Sequence, residues 1–322
     1  MKLINLLKPL ALLVPLVLIA CGDKAQPVQT PVPIESSAKK VRIALVMKTL
    51  TNPFFIEMEK GARKAASELN LELIVKTAAQ ETSFEQQVAI VDDLIQNKLV
   101  DALVLAPADA YHLIPSVRKA RQAGVAVVNI DARLDPKQMD AAGLTGVPFI
   151  SVDNEQGAFL SAQTLIAGTT KPAQAAIVEG IRSADNAQAR KSGALRAFGS
   201  NPAVKLVASE SANWKIDEAY EVTKSMYAKH PNIGLIFAAN DMMALGVLKY
   251  LADSGRKSVK VAGFDALDEA REAISKGALV ASIDQQAAEQ GYQGVLYAMR
   301  LFKGEQLPAQ TLLNVKLVSI TK

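Results

Sequence analysis

Polar residues of a few types fall just past the ends of short apolar runs, and these types exchange hydrogen bonds with hydroxyl groups. The run 41–47 is followed by Lys48 and Asn52, 125–130 by Asp131 and Arg133, and 175–179 leads to Arg190. Further on, 204–208 leads to Trp214, 233–238 to Asn240, 259–262 to Asp265 and 279–283 to Gln285. A carboxylate accepts from two neighbouring hydroxyls, a carboxamide both donates and accepts, and Lys and Arg donate. Phe54, Phe55 and Trp214 offer faces on which the C–H side of a pyranose can stack. Hydrogen bonds to charged groups contribute ~1.5–3 kcal/mol each. About half a dozen of them, less the costs of association and closure, are consistent with micromolar or tighter affinity. The set suits a small polyhydroxylated ligand.

Each of these residues also has an ordinary structural use. A lysine at a strand end is usually solvated, and an arginine such as Arg190 often lies on an exposed helix face. Asp131 and Asp265 could cap the helices that follow them, and Asn240-Asp241 could be an N-cap pair. Phe54, Phe55 and Trp214 could be core. The shared location carries the argument, because in open parallel sheets ligands bind beyond the carboxyl ends of strands.

The elements that hold these residues follow from the alternation of apolar runs with amphipathic segments. Besides the runs above, 71–76, 102–106 and 149–152 are short and rich in Leu or β-branched residues, as expected of strands buried on both faces. One helix starts at Asn52-Pro53, with Asn as N-cap and Pro at the first helical position. A second starts at Thr82, where Glu85 completes a capping box. A third covers 241–251. Strands alternating with helices predict an α/β fold with parallel sheets wound on both sides. The strands are too many for one comfortable sheet. Two sheets are expected, with a break near 149–154 and a C-terminal strand over 314–320 that joins one of them.

The 322 residues are enough for two lobes with cores of their own. Lys and Arg total 36 against 32 Asp and Glu, without a dense basic run in the body, so nucleic-acid binding has no electrostatic support. One cysteine and two histidines leave neither an internal disulfide nor a metal cluster to expect. Lys2 and Lys8 precede an apolar run over 9–20 that is too short and too proline-broken for a secure membrane span but fits a secretory signal. It ends Leu18-Ile19-Ala20-Cys21-Gly22, which resembles a bacterial lipobox. Residues 1–20 are therefore expected to be a lipoprotein signal peptide and Cys21 the lipidated residue. Residues 21–40, with Pro27, Pro31 and Pro33, form an extended tether. The body would then stand in the periplasm or on the extracellular face, anchored to a membrane.

From Lys40 onward the chain resembles the periplasmic sugar-binding proteins of ABC importers, the cluster that includes ribose- and allose-binding proteins. The resemblance is carried by Lys48-Thr49-Leu50-Thr51-Asn52-Pro53-Phe54-Phe55, Asn129-Ile130-Asp131-Ala132-Arg133 and Glu179-Gly180 with Arg190. It continues in Ala212-Asn213-Trp214, Ala239-Asn240-Asp241-Met242-Met243-Ala244-Leu245-Gly246, Gly263-Phe264-Asp265 and Ile283-Asp284-Gln285. It implies that Asn52, Asp131, Arg190, Asn240, Asp265 and Gln285 hydrogen-bond the hydroxyls of a monosaccharide while Phe54, Phe55 and Trp214 sandwich its ring. Lys48, where ribose-type proteins have serine, and Arg133, one residue beyond the ribose-type arginine position, look allose-like and favour a hexose over a pentose. Phe55, where the allose type has tryptophan, departs from that pattern.

The same resemblance implies two Rossmann-like lobes joined by a three-strand hinge, the type I periplasmic binding protein fold, with crossovers near 151–153, 284–286 and 312–314. One lobe would comprise 41–152 and 286–312, the other 153–285 and 313–322. The implied partners are the transmembrane subunits of a permease, with a chemoreceptor or sensor kinase as the alternative reader of the closed form. The chain is expected to be a monomer without a cofactor. An enzyme is the rival class. No G-x-G-x-x-G follows a strand and no G-x-S-x-G is present, though Asp131 and Asp265 could in principle serve as a glycosidase pair. A transcriptional repressor would carry an N-terminal helix-turn-helix where this chain has a signal and a tether.

Overall fold

Strand β1 (Arg42–Met47) explains why the sheets need helices on both sides. Its Ile43, Leu45 and Met47 share a core with Phe55 and Met58, whereas Ala44 and Val46 belong to a second core with Val91, Leu94 and Val117. Successive strand side chains point to opposite faces, so an unbroken apolar run lines two cores at once.

The structure is a computed structural model and describes residues 40–320. The expected signal peptide, the Cys21 anchor and the tether as far as residue 39 lie outside the described residues, as do residues 321 and 322.

The first sheet joins β1 to β2 (Glu72–Thr77), β3 (Ala102–Leu105), β4 (Ala126–Ile130), β5 (Phe149–Val152) and β11 (Gln310–Leu313), in the order β11-β5-β4-β3-β1-β2 and parallel throughout. Helices α1 (Pro53–Glu68) and α10 (Ala287–Phe302) cover one face, and α2 (Phe84–Gln96) and α3 (Ile114–Gln122) the other. Helices α1 and α10 cross in backbone contact. A Cβ at Gly61 would lie 1.7 Å from the Ala288 carbonyl oxygen, and one at Gly291 2.0 Å from that of Met58.

The second sheet repeats the order. It contains β6 (Ala173–Glu179), β7 (Val204–Ser211), β8 (Ile233–Ala238), β9 (Lys260–Ala262), β10 (Ala281–Asp284) and β12 (Lys316–Ser319), arranged β12-β10-β9-β8-β6-β7. Only β12 runs antiparallel to its neighbour, β10. The helices of this lobe are α5 (Asn154–Ile166), α6 (Asp185–Gly199), α7 (Ile216–Lys229), α8 (Asp241–Asp253) and α9 (Asp268–Ser275), while the short α4 (Pro136–Ala141) belongs to the first. The chain passes from the first sheet to the second through Asp153, returns through Gln285 and Gln286, and passes again through Asn314 and Val315.

The expected C-terminal strand within 314–320 is β12, which joins the second sheet; β11 precedes it in the first, so the segment between them carries the last crossing. The Gln286 side chain donates to the Asn314 carbonyl and ties two of the crossings together. The capping box at Thr82 does not form. Helix α2 starts at Phe84, and the hydroxyl of Ser83 accepts from Gln80 N at 3.2 Å, closing the preceding turn instead of capping the helix. Asn52 does cap α1, its Oδ1 accepting from Phe54 N at 3.0 Å with Pro53 opening the helix.

Glu179, the last residue of β6, anchors the loop that follows. Burial alone would push its carboxyl up, but hydrogen bonds from Arg182 (3.0 Å), Ser209 (2.6 Å) and Lys191 (2.9 Å) outweigh burial and hold it at about 2. The folded value lies below the ordinary 4.5, so this ionisation stabilises the fold above about pH 4.5, and the contribution is lost as pH falls toward 2. Glu179→Gln is expected to lower the melting temperature at pH 7 by roughly 2–4 °C and by clearly less at pH 3. Equal losses at both pH values in thermal unfolding would refute that account.

Candidate ligand-binding cleft

In each sheet the chain order reverses beside the first strand, β1 or β6, and polar residues are carried on loops and helix starts beyond the carboxyl ends, as at other open-sheet switch points. The two sets meet. Lys48, Asn52, Phe54, Phe55, Glu81 and Asp131 come from the first lobe, Asn186, Arg190, Trp214, Asn240 and Asp265 from the second, and Gln285 from a crossing. Together they line one cavity. None of the twelve is more than 8% exposed, so the lobes are closed over it. At about 20 Å³ the cavity has room for a water.

The loop after β4 aims Asp131. The Asn129 side chain donates to the Ala132 carbonyl at 2.7 Å and accepts from Leu134 N at 2.9 Å, winding the loop so that Asp131 sits in the left-handed region (φ 63°) and faces inward. Its Oδ2 lies 2.9 Å from Lys48 Nζ, with both side chains 3% exposed. From the other lobe, Asn186 Nδ2 reaches Asp131 Oδ1 at 3.5 Å. A second bond between the lobes runs from Ala110 N to the Ser183 carbonyl at 3.0 Å.

Arg190 is the hub of the second lobe. Its Nε donates to Asn154 Oδ1 (2.9 Å), its NH1 to the Ala239 carbonyl (2.9 Å) and Asp265 Oδ1 (3.4 Å), and its NH2 to Gln285 Oε1 (3.1 Å). The guanidinium also lies over the Phe264 ring, 3.7 Å from the centroid. Gln285 Nε2 donates in turn to Asp265 Oδ1 at 2.6 Å, so a residue on a crossing is bonded to both charged groups of the second lobe.

Burial pulls Arg190 below the usual guanidinium range, against Asp265 and Asp131, which raise it. It pushes Asp265 well above the carboxylate range despite Arg190, with Asp241 adding to the rise. Glu81 is also raised by burial, against the pull of Lys48 and of Asn52, whose Nδ2 donates to Glu81 Oε1 at 3.0 Å. The cavity thus sets Lys48 beside Asp131 and Arg190 beside Asp265, while burial works against the charge on each carboxyl that it raises.

Aromatic residues close two sides. Phe54 and Phe55 meet edge to face at 5.1 Å and 78°. Trp214, in the left-handed region (φ 68°), lies against Gly180, where a Cβ would fall 2.1 Å from the indole ring. Trp214 Nε1 and Asn186 Oδ1 are buried among the cavity residues without a hydrogen-bond partner in the protein. They are a donor and an acceptor available to a ligand.

Of the residues singled out by sequence, the structure gathers all but Arg133 round this cavity. Arg133 NH1 donates to Gln310 Oε1 at 3.3 Å and its guanidinium lies 5.4 Å from the Phe149 ring centroid, because the turn that points Asp131 inward turns Arg133 toward β5 and β11. Two lining residues escaped the sequence reading. Glu81 lies four residues past β2, a strand end to which the same rule applies. Asn186 stands four residues before Arg190, on the same face of α6.

A family model described as a periplasmic binding protein domain matches residues 43–306. The chain is 38% identical over 304 residues to the D-ribose/D-allose-binding protein of Pseudomonas aeruginosa, covering 91% of each. It is 32% identical over 278 residues to the D-allose-binding periplasmic protein of Escherichia coli, covering 85% of this chain and 89% of the other. Among solved structures, an ABC transporter periplasmic solute-binding protein from Actinobacillus succinogenes with bound D-allose matches with a TM-score of 0.82 at 38% identity, covering 87% of this chain and 98% of that one. With two like-ordered, mainly parallel sheets, three crossings and one cavity between the lobes, the chain belongs to the periplasmic binding protein family, as a solute-binding protein and not an enzyme.

Proposed function

We propose that this chain is the substrate-binding lipoprotein of an ABC sugar importer. It captures a monosaccharide, a hexose such as allose in preference to ribose, and delivers it to a membrane permease. The observation that carries the reading is one buried cavity walled from both lobes by carboxylates, carboxamides, two cations and three aromatic rings. That composition matches a ring with apolar faces and a girdle of hydroxyls, and the similarity to D-ribose- and D-allose-binding proteins supports it.

Closure follows from the same geometry. Neither lobe alone satisfies a ligand, so a sugar touching Asp131 and Asn52 on one side and Arg190, Asn240 and Asp265 on the other stabilises the closed form relative to the open one. Gln285, bonded to Arg190 and Asp265 from its place on a crossing, couples that contact to the hinge. Lys48, buried beside Asp131, is the group we assign to hexose preference. Cys21, directly after the apolar run, is the proposed lipid attachment that would hold the body at the periplasmic or extracellular face of a membrane.

A ligand that binds only the folded state raises the melting temperature. In a thermal-shift screen of monosaccharides, D-allose is expected to raise it and D-ribose to raise it less. A larger shift with D-ribose would overturn the hexose preference, and no shift with any monosaccharide would overturn the reading as a whole.

A further inference from the structure

Asp241 opens α8 beside Asn240, yet the two do different work. Asn240 caps the helix, its Oδ1 accepting from Met243 N at 2.9 Å. Asp241 is fully buried, is not among the residues lining the cavity, and turns both oxygens toward the loop that carries Asp265. Its Oδ2 accepts from Leu267 N at 2.9 Å, and its Oδ1 accepts from Ser282 Oγ at 2.7 Å. The Ser282 hydroxyl in turn accepts from Ala266 N at 3.0 Å. Two consecutive peptide N–H groups of the loop thus end, directly or through Ser282, on one carboxylate.

That loop needs holding. Asp265 has φ 120° and Ala266 φ 52°, two successive non-glycine residues at positive φ, a strained backbone that persists only where the surroundings over-determine it. Gly263 leaves the room, since a Cβ there would lie 2.3 Å from Asp241 Oδ1. Burial pushes the Asp241 carboxyl up to about 7 despite the hydrogen bonds from Ser282, Leu267 and Phe264 and the nearby Arg190. An apolar residue would avoid that cost but could not accept from the loop.

We infer that Asp241 is a positioning residue for ligand recognition: its carboxylate clamps the 263–267 loop in the conformation that turns Asp265 into the cavity, and it acts on affinity only through Asp265. This rests on the reading of Asp265 as a sugar contact, and a double-substitution cycle on the full chain, titrated calorimetrically with D-allose, separates the two. Asp241→Asn is expected to weaken binding about tenfold or more, and to cause no further loss in an Asp265→Ala background. Ser282→Ala removes only the relay to Ala266 and is expected to give a smaller loss, likewise absent without the Asp265 carboxylate. It keeps the test open should Asp241→Asn fail to fold. Losses of equal size in both backgrounds, or no loss from either clamp substitution while Asp265→Ala weakens binding, overturn the clamp. Unchanged binding in Asp265→Ala alone overturns the sugar contact itself and the clamp with it.

Discussion

Arg190→Met is expected to abolish measurable sugar binding by calorimetry, a loss of at least ~100-fold in affinity. Methionine can occupy much of the same space but donates nothing. Four buried acceptors, on Asn154, Ala239, Asp265 and Gln285, would lose the guanidinium donor; Asp265 keeps the bond from Gln285 Nε2 and Gln285 a long one from Gln290, and each acceptor that finds no substitute costs ~1–3 kcal/mol. The Asp265 carboxyl, already well above the usual range through burial, would rise further without the cation beside it. Its charged form, the stronger acceptor of a sugar hydroxyl, would be disfavoured accordingly. The Phe264 ring, 3.7 Å from the guanidinium carbon, would lose its stacking partner. Binding within a few-fold of the parent chain would show that Arg190 is structural only.

Asp131→Ala is expected to impair folding and binding together. Lys48 and Asp131 are each 3% exposed and lie 2.9 Å apart. Removing one member of a buried pair strands the other charge, typically at ~3–5 kcal/mol. The denaturation midpoint should therefore fall, and sugar affinity with it. The double replacement Lys48→Met with Asp131→Leu removes both charges, so it is expected to regain most of the lost stability while leaving binding absent. That pattern would separate the pair's role in the fold from its role toward a ligand. An unchanged midpoint in Asp131→Ala would mean that Lys48 finds another partner, and restored binding in the double variant would remove both residues from the site.

Much of the architecture was legible because it depends on local patterning. Apolar runs such as 41–47 and 102–106 line two cores at once and can only be central strands of covered sheets. Asn52-Pro53 signals a helix start through its own side chain and ring, and α1 begins there. The strand-end rule located the cavity for the same reason, since a parallel strand carries its following residue to a known edge. Glu81 obeys the same rule from four residues past β2, in a turn rather than directly after the strand.

Other features were settled by contacts distant in the chain. The sequence by itself determined that strands and helices alternate, that two sheets were needed and which residues stand at their ends. Only the tertiary structure decided that 310–313 forms a strand of its own in the first sheet, that Ser83 rather than Thr82 precedes α2, and that Arg133 bonds Gln310 while Asp131 lines the cavity. It also decided the left-handed backbone at Asp131, Trp214 and Asp265. Local propensity gives Trp no preference for positive φ and Asp only a modest one. These conformations persist because Asn129, Gly180 and the Asp241–Ser282 pair, placed by the folding of other segments, hold or make room for them.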